Sequence, residues 1–114
     1  MTRMVYHMCR AEAWEEAVRE GVYRGSEQDR RDGFMHFSTA DQIVESARRH
    51  RAGEPDLVLI AVEDCVLGTR LRWEPSRNGR LFPHLYGPLD PAEAARVQPL
   101  PLGPDGLHVF PPLT

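Results

Sequence analysis

The 114-residue sequence predicts a single small α+β domain of mostly antiparallel sheet, with two main helices and a short third one. Three observations carry this. The apolar residues switch between period two and steps of three and four; turn residues separate every periodic run; and the longest apolar run, Leu57 to Val62, is strand-length. One core fits this length and two do not, so positions 1–114 read as one domain with its main body at about 4–97 and a proline-rich tail at 98–114.

From Met4 to Cys9 the residues alternate, with Met4, Tyr6 and Met8 on one face and Val5, His7 and Cys9 on the other, as in a short strand. Ala11, Trp14, Ala17 and Val18 then recur at helical steps, and Gly21 supplies the stop. Val22 to Gly33 is polar and charged and reads as an extended loop. Gly33-Phe34-Met35-His36-Phe37 is a brief strand running into a second helix. Thr39 and Gln42 form that helix's capping box, and Ile43, Val44 and Ala47 its inward stripe up to His50.

Leu57 to Val62 is apolar on both faces and suits a central strand covered on both sides. Leu71 and Trp73 alternate against Arg70, Arg72 and Glu74 in a further strand, and Asn78-Gly79 turns the chain into Leu81 to Tyr86. Asp90-Pro91-Ala92-Glu93 opens the short third helix. The prolines of the tail allow only short edge strands, around Val97 and from Leu107 to Phe110.

All 14 basic residues are arginine, against 17 acidic ones, for a net charge of -3. Without lysine there is no Schiff base, pyridoxal-phosphate anchor or P-loop. The acidic balance argues against a broad nucleic-acid surface, though not against a local arginine patch. No run is long enough for a membrane span and no signal-peptide stretch opens the sequence, so a cytoplasmic location is expected. Cys9 and Cys65 have neither metal spacing nor a disulfide pattern and read as reduced thiols.

His7, His36 and His84 lie on predicted strands, whereas His50 and His108 read as structural. An imidazole among apolar neighbours needs a hydrogen-bond partner, and three of them at strand positions suggest a shared cleft. Their gaps of 29 and 48 residues give no support to a metal site, and none is expected. Cys9, on the same strand face as His7, is weighed as a nucleophile, but a small buried thiol is the commoner case. Arg70, Arg72, Arg77 and Arg80 crowd a hairpin that also carries Trp73, Glu74, Phe82, His84 and Tyr86. Such a mix suits a flat ring with phosphates: rings stack and guanidinium forks grip oxyanions.

Tyr6-His7, Trp14, Gly33-Phe34-Met35-His36-Phe37-Ser38, Gln42, the apolar strand, Trp73-Glu74 and Phe82-Pro83-His84-Leu85-Tyr86-Gly87 together resemble the bacterial domain-of-unknown-function family 952. That family is similar, more distantly, to the ADP-ribosyltransferase superfamily and its RNA 2′-phosphotransferase branch. The resemblance implies a cleft between two packed sheets that binds NAD and moves ADP-ribose, or a related group, to an acceptor it does not specify. It also implies that His7 contacts the ribose and that His36 and Ser38 line the same cleft, with Ser38 as a further cofactor-binding residue. Glu74 and His84 both stand as candidates for the third site position, and His36, His84 and Glu74 as candidate catalytic residues. Within such a cleft Arg24, Arg72 or Arg80 would bind pyrophosphate, and Phe34 or Tyr86 would stack on nicotinamide. The arginine-rich N-terminal element of the RNA 2′-phosphotransferases is missing, which argues against RNA repair. A domain that binds a nucleotide-like molecule without chemistry is the alternative, and a metal-dependent hydrolase a weaker one.

Overall fold

The computed structural model describes residues 2–113, and its architecture is two three-stranded antiparallel sheets that share one core. Strand β1 (Met4–Arg10) runs straight into helix α1 (Ala11–Glu20), closed by Gly21. Helix α2 (Glu27–Asp32) follows, then β2 (Met35–His36), helix α3 (Ala40–His50) and β3 (Leu57–Glu63). A helical turn, α4 (Asp64–Leu67), leads through a 3₁₀ turn to β4 (Leu71–Pro75) and β5 (Leu81–Leu85). A 3₁₀ turn at Pro91–Glu93 precedes β6 (Arg96–Leu100).

The first sheet has the order β1-β3-β6, and β3 is central because its apolar residues find cover on both faces. Leu57, Leu59 and Ala61 pack with Tyr6, Met8 and the Ile43–Ala47 stripe of α3. Ile60 and Val62 face the other way, into a cluster that joins Val5 and Cys9 to Trp14 and Ala17 of α1 and to Met35, Leu71 and Leu85 of the second sheet. The alternation read for β1 is therefore real, and it puts His7 on the inter-sheet side.

The second sheet, in the order β2-β5-β4, turns that apolar face to the core. In its register His36 lies opposite His84, and His84 opposite Arg72, so the three form one row across the sheet. The sheets are joined where Tyr6 and Ser38 exchange two backbone hydrogen bonds of 2.8 Å each.

Four sequence expectations are corrected. Val22 to Gly33 is not wholly a loop: α2 begins at Ser26, whose side chain accepts from the Asp29 N–H while Asp29 accepts from the Ser26 N–H, and Gly33 closes it in the left-handed region. The helix holds no apolar stripe, so periodicity misses it. The brief strand contracts to Met35–His36, and Tyr86 falls just past β5. Leu107 to Phe110 forms no strand; the contact there is one bridge between Leu102 and His108. The edge strand expected around Val97 is present as β6, with Pro99 paired to Val58. Among the described residues no helix is long and apolar enough to cross a membrane.

Candidate functional site

His7, His36 and His84 converge on one cavity of about 660 Å³. It opens between the sheets and α3, with Ser26, Gln28 and Asp29 of the α2 segment on one side and Arg77 of the β4–β5 hairpin on the other. The three histidines differ in what their ring nitrogens have left to offer.

His7 is buried. Its Nδ1 lies 2.8 Å from the His36 carbonyl oxygen, which can only accept, so Nδ1 carries the proton. Burial pushes the imidazole below its ordinary value, although Asp29 acts in the other direction. The neutral ring thus accepts at Nε2 from the Tyr23 hydroxyl, 2.8 Å away. Both nitrogens are engaged within the protein.

His36 is engaged too. Its Nδ1 donates to Asp29 Oδ1 at 2.5 Å and its Nε2 faces Asp32 Oδ2 at 3.1 Å. The hydrogen bond to Asp29 raises its pKa above the ordinary value against the opposing effect of burial, and Asp32 adds to the rise. Asp29 itself is buried, which opposes ionisation, yet the His36 hydrogen bond and then the Ser26 N–H hold its carboxyl well below the usual range. His36 is an imidazolium clamped between two carboxylates of α2.

His84 keeps a nitrogen free. Its Nδ1 donates to Glu74 Oε1 at 2.7 Å, and no protein partner meets Nε2 among the described residues. The Tyr86 hydroxyl donates to the same Glu74 oxygen at 2.8 Å, and the two hydrogen bonds, His84 first, lower the Glu74 pKa. The Phe34 ring stacks on His84 with centroids 4.1 Å apart. A carboxylate that fixes one imidazole nitrogen and leaves the other bare is a general-base arrangement.

The remaining expected residues divide. Ser38 lines the cavity, and its hydroxyl lies 3.0 Å from that of Ser46. Phe34 and Tyr86 border His84, with the Arg72 guanidinium 4.6 Å from the Tyr86 ring centroid. Arg24 lines a separate shallow cleft of about 270 Å³ beyond Phe34, and Arg80 pairs with Asp41 at 3.3 Å. The arginines at the cavity are Arg49, Arg51 and Arg77. His50, expected to be structural, also lines it.

Sequence reasoning missed Asp29, Ser46, Arg49 and Arg51. For Asp29 a signal was present: Ser26-x-x-Asp29 is a capping-box pattern with Gly33 at the helix stop. Cys9 is buried, and burial pushes its thiol up to about 11, which disfavours the thiolate a nucleophile needs. Among the described residues no three His, Cys, Asp or Glu side chains are grouped to hold a metal.

Residues 8–97 match the family described as protein of unknown function (DUF952). The chain is similar to protein CC0527 from Caulobacter crescentus, whose crystal structure is 40% identical over 93% of each chain, with a TM-score of 0.90. The solution NMR structure of the same protein is 41% identical over 91% of this chain and 90% of that one, with a TM-score of 0.83. Nothing among the curated proteins matches the chain. A match over most of its length, and a relative of the same fold at this identity, mean that the chain belongs to the DUF952 family.

Proposed function

We propose that the protein binds an NAD-type nucleotide in this cleft and transfers ADP-ribose, or a related group, to an acceptor, with Glu74 and His84 as the working pair. The observation that supports this most is the convergence of three sequence-distant histidines on one cavity, at which His84 alone of the three keeps a free nitrogen. The volume lies within the roughly 300–1,000 Å³ of small-ligand pockets. The Phe37 and Phe82 rings at the cavity suit a flat heterocycle, and the arginines there suit phosphates.

In this reading Glu74 and His84 serve as one unit. The bond from the ribose anomeric carbon to nicotinamide breaks, and its electron pair goes to the ring nitrogen, which loses its positive charge. The acceptor's O–H or N–H attacks the same carbon and its proton moves to His84 Nε2. Glu74 holds Nδ1–H throughout and stabilises the imidazolium that forms. His7 and His36 take a different part from the one the resemblance implies: with both nitrogens engaged, they shape the cavity and anchor α2.

Incubation with NAD, with nicotinamide release followed by chromatography and binding by calorimetry, tests this. The expected result is release that falls at least about 100-fold in His84→Ala while NAD affinity changes by less than about fivefold. Absence of NAD binding at millimolar concentration overturns the reading. NAD that binds and stays intact instead supports a non-catalytic binding domain, which the engaged nitrogens of His7 and His36 favour.

A further inference from the structure

Arg77 stands in the hairpin between β4 and β5 and lines the cavity. The guanidinium lies 5.0 Å from the Phe82 ring centroid, and Nη2 donates to Ser46 Oγ on α3 at 3.4 Å. The other two arginines at the cavity are matched by carboxylates: Arg49 Nε donates to Glu45 at 2.8 Å and Arg51 Nη1 to Glu54 at 3.1 Å. Arg77 has no carboxylate within ion-pair distance among the described residues. Its contact with Ser46 is long for an N–H···O bond, so most of the donor capacity of its fork is unspent.

Ser46 and Ser38 are buried, at 7% and 6% exposure, and their hydroxyls meet at 3.0 Å. The cavity therefore carries a fork with no carboxylate in contact, Glu45 reaching it only through space, beside a pair of buried hydroxyls. Its field is already felt locally: desolvation and then Arg77, Arg49 and Arg51 depress the pKa of His50. The C-terminal end of α3 points its negative dipole at this region, and these same cations offset it.

We infer that Arg77 and Ser46 form a phosphate subsite, and that the ligand is a 5′-phosphorylated riboside whose anomeric carbon reaches His84. Phe82, whose ring Arg77 covers, and His84 stand two residues apart on β5, one strand repeat or about 7 Å of backbone, and both line the cavity with Ser46. A pentose ring with its 5′-methylene bridges such a gap. A phosphate entering between the fork and Ser46 replaces one weak contact with charge-assisted bonds from Arg77 and an O–H bond from Ser46. The assignment rests on the proposed reading for the role of His84, but not for the phosphate itself.

Ribose 5-phosphate and unphosphorylated ribose are the probes, with affinity from calorimetry and the His50 imidazole followed by NMR in the whole protein. Ribose 5-phosphate is expected to bind and to raise the His50 pKa, and ribose to do neither. Arg77→Ala is expected to weaken ribose 5-phosphate about ten- to hundredfold, Arg77→Lys less, and the distant Arg19→Ala by less than twofold. Failure of ribose 5-phosphate to bind, or equal weakening by Arg19→Ala and Arg77→Ala, overturns the subsite. If Arg77→Ala does not fold, the Arg77→Lys affinity and the His50 shift decide. Arg77-dependent ribose 5-phosphate binding with NAD left intact keeps the subsite and rejects transfer. NAD turnover indifferent to Arg77→Ala keeps transfer and rejects the subsite.

Discussion

Asp29 Oδ1 accepts both the backbone N–H of His36, at 3.2 Å, and its Nδ1–H, at 2.5 Å. One buried carboxylate oxygen thereby secures β2 to α2, while the other, Oδ2, accepts the Ser26 N–H at 2.8 Å and starts the helix. Asp29→Ala removes the acceptor for all three donors and leaves a half-buried imidazolium without its nearer counter-charge. The expected loss is about 3 kcal/mol by urea denaturation; a loss under about 1 kcal/mol would mean that the carboxylate does not hold α2.

The three coupled groups give stability a pH dependence whose signs differ. Asp29 titrates below its ordinary 3.8 when folded, so its contribution is full above that value and lost as pH falls through the depressed one. His36 titrates above 6.5 when folded, so its contribution is full below 6.5 and lost as pH rises through the raised value. His7 opposes it: below 6.5 the unfolded chain takes a proton that the folded one refuses, and stability falls on acidification. Urea titrations between about pH 5 and 8 are expected to show the advantage of wild type over His36→Gln shrinking as pH rises. The advantage over His7→Gln should shrink as pH falls. Parallel curves for the two variants would contradict the assigned protonation states.

Two glycines that bracket α2 separate backbone strain from crowding. Both have left-handed φ, +90° at Gly25 and +87° at Gly33. A Cβ at Gly33 meets open space, so Gly33→Ala carries only the conformational cost of about 1 kcal/mol. A Cβ at Gly25 comes within 2.8 Å of Asp29 Cβ and 2.9 Å of Met35 Cγ, so Gly25→Ala adds a clash with the anchor itself. Thermal melts are expected to place Gly25→Ala clearly below Gly33→Ala. Equal melts would show that the wall of the cavity yields.

The two cysteines differ in exposure and therefore in reactivity. Cys9 is buried with its thiol pushed up to about 11, and Cys65 is exposed. Iodoacetamide at mildly alkaline pH is expected to label Cys65 and spare Cys9 in the folded protein, with both labelled in denaturant. Peptide mass spectrometry reads the outcome, and rapid native labelling of Cys9 would show that the inter-sheet core opens.

The strands and the two main helices are legible in the sequence because their patterns are local. β1 alternates, β3 is apolar throughout, Thr39 and Gln42 cap α3, and Asn78-Gly79 marks the hairpin. α2 was hidden because its six residues, Glu27 to Asp32, carry no apolar stripe; a capping box and the grip of Asp29 on His36 hold it. The histidines at the cavity are legible as residue types, but their roles are not. Which nitrogen stays free depends on Tyr23, Asp29, Asp32 and Glu74, each brought to its ring by the fold. Arg49 and Arg51 read as the ordinary basic end of a helix until α3 is laid against the first sheet.

The double hydrogen bond between Tyr6 and Ser38 is a backbone seam between the two sheets. His7 and His36, joined at 2.8 Å one residue further along β1 and two residues earlier in the chain, lie where that seam meets the cavity. Breathing of the two sheets must pass through these few bonds, so the amides of Tyr6 and Ser38 serve as a clock for it. Hydrogen exchange at those two positions, slowed when a ligand fills the space beside them, times the opening of the cavity without reference to any reaction.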